Sequence, residues 1–264
     1  MIAVGPTYIE RIIWQLTHAA AHKAVFSWQE TDVTATEFLE SVYSHARALS
    51  ALGIGRGSLV ALLAPNMPEA IAVRYAACFL GAAGCFLSSP PTVQARKQLI
   101  QNIDPSVLVV FPETLQLLPG GLGVKTVSVG DCGSELPDLH RLAVSQSDLP
   151  GCNAHPGDLA MVVSSGGSTG TPKGSCRTFA AYTRMVDVAN RPDRRQLING
   201  RLAYLSQVLV DMTLMSGGCV VLRDSFDPID TLAQIEQQRI TDLFLVEPQL
   251  FELMDHPDVE TTDL

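Results

Sequence analysis

Charged side chains are scarce in this sequence, at 17% of 264 residues, and the formal net charge is −9 at pH 7. An acidic chain is repelled by nucleic acid and by anionic membranes, so neither is expected as its main partner. Disorder is excluded by the 47% apolar content. The length is sufficient for one large α/β domain or two small ones.

Targeting signals are also missing. No basic segment followed by an apolar run opens the sequence, so no secretory signal is expected. The most apolar stretch, residues 70–87, is interrupted by Arg74, Gly81 and Gly84. It predicts a buried helix that leads into a strand, not a transmembrane segment. We therefore expect a cytoplasmic protein.

Metal-binding and disulfide patterns are absent as well. The cysteines form no C-x-x-C pair, and we expect them to be buried thiols of a cytosolic protein. His18 and His22 stand four residues apart in HAAAH, but the Glu of H-E-x-x-H is missing, which favours two ordinary helix histidines over a zinc site. The cysteines are Cys78, Cys85, Cys132, Cys152, Cys176 and Cys219.

What the sequence does contain is an alternation of short apolar runs and longer helical patterns. Apolar strands separated by helices predict an α/β fold with mostly parallel sheets covered by helices. Strands are predicted at 59–64, 106–111, 124–129, 159–165, 219–223 and 241–246. Helices are predicted at 34–52, 67–82, 92–102, 175–190, 228–239 and 248–255.

The most specific motif is SSGGSTGTPKG at residues 164–174, directly after a predicted strand. Its glycines allow backbone N–H groups to converge on an anion. Hydroxyls add donors, and the ammonium of Lys173 adds a mobile positive charge. Such a loop suits a nucleotide triphosphate. Seven basic residues between Lys173 and Arg201 suit the same ligand, with a solvated helix face as the alternative.

Three other motifs fit less well. The Walker spacing G-x-x-x-x-G-K-[ST] is absent, and neither GIGRGS (53–58) nor GGLGVK (120–125) has dinucleotide-binding spacing. GGSTG matches the nucleophile elbow of an α/β serine hydrolase, which would use Ser168 with Asp227 or Asp242 and His256. An elbow leads straight into a helix, however, and TPKG intervenes here. The hydrolase remains a remote alternative.

The loop resembles the phosphate-binding loop of the adenylate-forming enzymes, which include acyl-CoA and aryl-CoA synthetases, luciferases and peptide-synthetase adenylation domains. Residues 49–85, with APNMPE, and residues 226–257 are similar to further stretches of that family. The resemblance implies the large N-terminal domain of such an enzyme, with one lobe at about 51–190 and another at 1–50 plus 200–264. The cleft would lie between the lobes at strand carboxyl ends.

The resemblance also implies an activity. A carboxylic acid would be activated with ATP and Mg²⁺ as acyl-adenylate, with release of pyrophosphate, and then transferred to coenzyme A or a carrier-protein thiol. Lys173 and Thr169 would be catalytic, and Thr169 would also reach the metal. The nucleotide would be held by Ser165, Gly166, Gly167, Ser168, Thr169, Gly170, Thr171 and Lys173.

Two departures from the family pattern affect the acid pocket. Gln207 stands where the family usually has His or an aromatic residue, and Glu247 stands where Pro is common. Met212 is a further candidate for contact with the acid, with a role in the core as the alternative. Which acid is activated is therefore left open.

The family's second half, with its adenine-binding segment, its ribose-binding Asp and its late Lys, is missing from the 264 residues. The chain is expected to be an N-terminal portion that binds ATP weakly and is inactive alone. Self-association or a partner half is expected to cover exposed apolar surface. A truncated, non-catalytic or partner-dependent adenylation-domain half is the alternative to an active enzyme.

Overall fold

The structure is a computed structural model, and it describes residues 5–133, 135–165 and 173–263. The strands are β1 Ala24–Trp28, β2 Thr31–Thr34, β3 Leu59–Leu63, β4 Ala83–Phe86, β5 Val107–Val110, β6 Thr126–Ser128, β7 Leu159–Ser165, β8 Lys173–Thr178, β9 Arg195–Ile198, β10 Cys219–Leu222 and β11 Asp242–Leu243. The helices are α1 Tyr8–His18, α2 Ala35–Ala51, α3 Pro68–Phe79, α4 Val93–Ile103, α5 Leu139–Val144, α6 Phe179–Met185, α7 Gln207–Met215, α8 Pro228–Gln238 and α9 Glu247–Met254.

One sheet is built from six of these strands, in the order β6-β5-β3-β4-β7-β8. All its neighbours are parallel except β7 and β8, which pair antiparallel. Strands β4 and β5 are buried along their whole length, as expected for a sheet that helices cover on both faces. The prediction of mostly parallel strands is confirmed.

The other sheet has the order β11-β9-β10-β1-β2. It joins residues near the start of the chain to residues after 194, with β1 lying parallel to β10. The hairpin of β1 and β2 turns through Gln29 and Glu30, which have φ values of 47° and 60°. Positive φ at both central residues is typical of a two-residue hairpin turn, because it matches the twist of the flanking strands.

The helices begin where the sequence provides capping groups. Thr34 and Glu37 form a reciprocal capping box at the start of α2. Pro68 and Pro228 stand in the first turn of α3 and α8, where a missing N–H has no cost. Helix α3 is buried along almost its entire length, between the α2 layer and the sheet. Within the described ranges, no helix has the length and apolar character needed to cross a membrane.

The prediction of a helix over 175–190 is wrong at its start. Residues up to Thr178 form β8, and the helix covers Phe179–Met185. The Thr178 side chain accepts a hydrogen bond from the Ala181 N–H and so caps the helix. Edge strand β8 is exposed at residues 175–178 and lacks an apolar pattern, and for this reason its sequence does not indicate a strand.

The two sheets are linked by a buried ionic cluster. Asp211 of α7 accepts hydrogen bonds from Arg74 and Tyr75 of α3, and from Tyr182 of α6. The Tyr75 and Tyr182 hydroxyl oxygens each lie 2.5 Å from a carboxylate oxygen. Burial, and secondly the Asp211 charge, raise the pKa of both tyrosines, so they remain protonated donors. A Cβ on Gly84 would lie 2.7 Å from Arg74 Cγ, so glycine provides the space for the guanidinium stem.

The expectation of buried thiols holds for Cys78, Cys85 and Cys219 and is wrong for Cys152 and Cys176, which are exposed. All six cysteines are free. Cys176 is exposed because it lies on the edge strand β8. The other departures from the predicted pattern are β1, β2, β9, α1, α5 and α7, for which no element was predicted.

We expect a thiol-specific reagent at pH 8 to modify Cys176 quickly in the native protein and to leave the buried cysteines unmodified. Burial raises the pKa of Cys78 and Cys219 to about 11 and that of Cys85 to about 12. At pH 8 about one molecule in a thousand then carries the thiolate at Cys78, and access is also blocked. Mass spectrometry after timed labelling measures this, with denatured protein as the control. Equal labelling of Cys78 and Cys176 in native protein would contradict the burial.

Candidate active site

A cleft of about 490 Å³ opens where the carboxyl ends of strands from both sheets meet. Residues after β3 and β4 line it from the six-stranded sheet, and residues after β9 and β10 line it from the other sheet. Trp28, the last residue of β1, completes the wall. The carboxyl edge of parallel strands is where open α/β sheets bind ligands. This position makes the cleft the candidate active site.

Asn66 fixes the geometry of the cleft. Its side-chain amide donates to the carbonyl oxygens of Gly200 and Arg223, each at 2.9 Å, and its oxygen accepts from the Leu202 N–H at 3.2 Å. The loop after β3 is thereby joined to the loops after β9 and β10. Asn66 belongs to the APNMPE stretch, but sequence reasoning gave it no individual role, because its partners lie more than 130 positions away.

We expect Asn66→Ala to lower the free energy of unfolding by about 1–3 kcal/mol, because one buried and two partly buried backbone groups lose their partner. Urea denaturation measures the change. The control is Asn102→Ala, which removes an exposed amide from α4. It should change stability by less than about 0.5 kcal/mol. Equal effects of the two substitutions would show that Asn66 does not join the loops.

Arg96 of α4 holds another part of the wall. Its guanidinium donates to the carbonyl oxygens of Pro90 and Pro91 at 2.7 and 3.0 Å, and to that of Leu117 at 2.9 Å. These bonds join the segment after β4 to the 3₁₀ helix Pro112–Leu117 that follows β5. Three of the five N–H groups of the guanidinium donate to backbone oxygens, so Arg96 positions the wall.

Several polar groups in the lining are available to a ligand. The Trp28 indole N–H is buried and has no acceptor in the described part of the chain. Arg201 is exposed at the cleft, and no carboxylate of the described residues forms an ion pair with it. Asp224 lines the cleft from the loop after β10. The cleft thus presents both donors and acceptors.

The glycine- and hydroxyl-rich motif falls between β7 and β8. The backbones of Ser165 and Lys173 pair across the two antiparallel strands. Because β7 runs parallel to β4, it ends at the carboxyl edge where the cleft opens. The predicted ligands Gly166, Gly167, Ser168, Thr169, Gly170 and Thr171 lie outside the described residues. The residues that flank them, Ser165 and Lys173, lie at this edge of the sheet.

The order of strands around this segment contradicts the interpretation of GGSTG as the nucleophile elbow of a serine hydrolase. A nucleophile elbow joins a strand to a helix, whereas residues 166–172 join two strands. The supposed partners are engaged elsewhere: Asp227 caps α8, and Asp242 pairs with Arg191. His256 has its carboxylate contact with Asp258, at 3.7 Å. No Asp–His pair of the expected kind forms among these residues.

We expect Ser168 not to react with a fluorophosphonate probe, because the Asp–His pair that a hydrolase needs to activate its serine does not form among Asp227, Asp242 and His256. The measurement is intact-mass spectrometry after incubation with excess probe, with Ser168→Ala as the matched variant. A stoichiometric adduct that disappears in Ser168→Ala would restore the hydrolase interpretation of the loop.

The arginines after the motif have divided roles. Arg191 and Arg194 approach Asp242, and Arg195 donates to Gln238 of α8. These contacts lie at the amino end of β9, opposite the cleft. The prediction that the basic residues gather around a polyphosphate is therefore wrong for these three. Arg201, which follows β9, does line the cleft.

The two predicted pocket residues lie on α7, which follows an irregular helical turn over Leu202–Ser206. Gln207 is fully buried and donates to the Tyr204 carbonyl oxygen at 3.3 Å, while its own side-chain oxygen has no donor in the described ranges. Met212 is half-buried and packs against the main core. Neither lines the 490 Å³ cleft. The turn before Gln207 does contact β4 and β7, beside the motif.

His18 and His22 do not share a helix. Helix α1 ends at His18, and His22 lies in the turn beyond it, so the prediction of two helix histidines is wrong for His22. The His18 ring stacks on Trp14 and contacts the Trp14 carbonyl oxygen at 2.8 Å.

Comparison with known proteins identifies the family. The sequence model of the AMP-binding enzyme family matches residues 14–264. A medium/long-chain fatty-acid–CoA ligase of Mycobacterium tuberculosis is 25% identical, over 98% of this chain and 49% of the relative. A feruloyl-CoA synthase of an Amycolatopsis species is 30% identical, over 89% of this chain and 48% of the relative. The amide bond synthetase McbA of Marinactinospora thermotolerans matches in structure with a TM-score of 0.83 and 28% identity, over 98% of this chain and 53% of that chain.

The chain therefore belongs to the AMP-binding enzyme family, as the loop and its flanking stretches predicted. Its two helix-covered sheets are those of the N-terminal domains of adenylate-forming enzymes. The chain spans about half the length of the curated relatives it matches, since 49% and 48% of the two ligases are covered.

Proposed function

We propose that the full-length protein activates a carboxylic acid with ATP, forming an acyl-adenylate and pyrophosphate, and then transfers the acyl group to coenzyme A. The observation that carries the proposal is that β7 and β8, which flank the glycine- and hydroxyl-rich stretch in the sequence, meet at the edge of the sheet where the cleft opens, with Ser165 paired to Lys173. The match to the AMP-binding enzyme family supports it.

In the first step the substrate carboxylate oxygen attacks the α-phosphorus of ATP, and the bond from that phosphorus to the bridging oxygen breaks. The β- and γ-phosphates leave as pyrophosphate. Lys173 and the loop hydroxyls hold these phosphates as negative charge accumulates on them. Their contribution is therefore positioning and electrostatic stabilisation, and no covalent nucleophile of the protein is required.

In the second step a thiolate sulfur attacks the acyl carbonyl carbon, and AMP leaves with the bonding electrons. Coenzyme A is the proposed acceptor, because the fatty-acid and feruloyl relatives are named as CoA-dependent. A carrier-protein thiol is the other candidate, since peptide synthetases also match this chain. Mg²⁺ bound to the phosphates neutralises part of their charge, and Thr169 is the proposed side-chain ligand for it.

The acid is proposed to be a fatty or aromatic carboxylic acid. Relatives named for fatty, ferulic and indoleacetic acids support this range. Gln207 and Met212 remain the proposed pocket residues, since α7 follows the turn that packs on β4 and β7. The buried side-chain oxygen of Gln207 has no donor among the described residues, and it can accept a hydrogen bond from a polar substituent of the substrate.

The two sheets are proposed to belong to the two lobes, about 51–190 and 1–50 plus 200–264.

A second proposal concerns the surface of the lobe that contains residues 200–264. Apolar side chains are exposed on and beside α9, at Phe244, Val246, Leu250, Phe251 and Met254. An exposed apolar patch of this kind is typical of a surface that a partner or another part of the protein covers. A partner-dependent chain that is inactive alone is therefore the alternative to an active enzyme.

Carboxylate-dependent exchange of labelled pyrophosphate into ATP tests the proposal. Protein expressed from the complete reading frame is assayed with a panel of medium- and long-chain fatty acids, hydroxycinnamic acids and arylacetic acids. Exchange that depends on one class of acid supports the proposal. Binding of ATP without exchange for any acid would favour the non-catalytic alternative.

A further inference from the structure

Three side chains of chemistry suited to a metal ion converge outside the cleft. His45 lies on α2, Glu69 in the first turn of α3 and His140 in the first turn of α5. Their ligand atoms all lie within 4.8 Å of one another. Among the described residues, no other group of three metal-ligating side chains lies close enough to share an ion. None of the proposed steps of the reaction uses it.

The distances are close to those of a coordination site. The Nε2 atoms of His45 and His140 lie 3.2 and 2.5 Å from the same oxygen of Glu69. Zinc bonds of about 2.0–2.2 Å place neighbouring tetrahedral ligands about 3.3 Å apart. The Glu69–His45 separation already meets this value. For an ion to bind, the distance between the Glu69 oxygen and His140 Nε2 must increase by less than an ångström. The His140 side chain is exposed, so its ring has room to move outward.

The three groups differ in burial, with His45 buried, Glu69 half-buried and His140 exposed. The nitrogen of His45 that faces Glu69 is Nε2, so the buried ring directs a ligand atom toward the carboxylate, while His140 keeps the cluster accessible to solvent.

The cluster opens into a surface groove of about 630 Å³. Glu37 and Glu40 line this groove together with Glu69, opposed by the guanidinium of Arg47. The charge balance favours a cation, and solvent has access to complete its coordination. The groove and the active-site cleft share none of the lining residues that the structure describes.

We propose that His45, Glu69 and His140 bind one divalent transition-metal ion of the zinc class. Two imidazole nitrogens and one carboxylate suit zinc, with water in the fourth position. The ion joins α2, α3 and α5, and so ties the segment that follows β6 to the helix layer. Its role is structural, and it is independent of the adenylation proposal.

Zinc titration by calorimetry of the purified, chelator-treated chain tests the site, with a thermal melt recorded beside it. We expect one zinc ion per chain and a higher melting temperature with zinc. His140→Ala should weaken binding at least tenfold, about 1.4 kcal/mol, while leaving the metal-free fold intact because the side chain is exposed. Glu69→Gln, which keeps the shape of the side chain, should do the same.

Two controls separate this site from other histidines. The double variant His18→Ala/His22→Ala removes the HAAAH pair, and His155→Ala removes an exposed histidine of another loop. Both should bind zinc as the unchanged protein does. Cobalt substitution should give a spectrum without the charge-transfer bands of a thiolate ligand. Absence of binding, unchanged affinity in His140→Ala, or loss of binding in a control would overturn the proposal.

Discussion

In the full-length protein, Lys173→Ala is expected to slow adenylate formation by about 100- to 1,000-fold, the effect of removing one preorganised charge or donor from a transition state. The proposed role of Lys173 is to hold the departing phosphates, which are present only in the first half-reaction. Thiol transfer from preformed acyl-adenylate should therefore change much less. Pyrophosphate exchange measures the first half-reaction, and single-turnover transfer to coenzyme A measures the second.

The matched control is Lys125→Ala, which removes an exposed lysine just before β6. It should leave both half-reactions unchanged. Equal losses in both half-reactions of Lys173→Ala would show that the ammonium acts on the acyl or AMP portion, and the assignment of the loop to the β- and γ-phosphates would fail.

Asp211→Asn is expected to destabilise the protein by about 3–5 kcal/mol, the range measured when one partner of a buried ion pair is removed. The substitution leaves Arg74 charged and 1% exposed, without the carboxylate that faces it. It also weakens the acceptor of the Tyr75 and Tyr182 hydroxyls. The midpoint and slope of urea denaturation measure the loss.

Asp230→Asn is the control, because Asp230 also pairs with an arginine, Arg223, but in a more exposed position. A pair of this kind contributes about 0–1 kcal/mol. A double variant, Arg74→Met/Asp211→Asn, should recover part of the stability, since it removes the uncompensated charge. If Asp211→Asn and Asp230→Asn cost the same, the buried cluster does not hold α3 to α7.

The strands and helices that sequence reasoning predicted well are those with a strong local signal. Strand β5 is a continuous apolar run, and α3 begins at a proline, so both follow from nearby residues. Strand β8 was not predicted, because it is an exposed edge strand that pairs with β7 alone and its sequence carries no apolar pattern. Strand β1 pairs with β10 across 194 positions, and β9 lies between β10 and β11, so both belong to a sheet that only the complete topology reveals.

The candidate site divides in the same way. The loop at 164–174 was found because its chemistry is written in consecutive residues. Asn66, Trp28 and Arg96 were missed as site residues, because their importance rests on partners or a cavity contributed by distant segments. His45, Glu69 and His140 come from three separate helices, and their spacing in the sequence matches no metal-binding motif.

The fate of ATP tests the central claim most directly. Protein from the complete reading frame is incubated with ATP, Mg²⁺, coenzyme A and the acid that gives the fastest pyrophosphate exchange, and the nucleotide products are separated. The account predicts AMP and pyrophosphate in equal amounts with the thioester, and no turnover without the acid. Formation of ADP and inorganic phosphate would contradict it, because attack would then have occurred at the γ-phosphorus and not at the α-phosphorus.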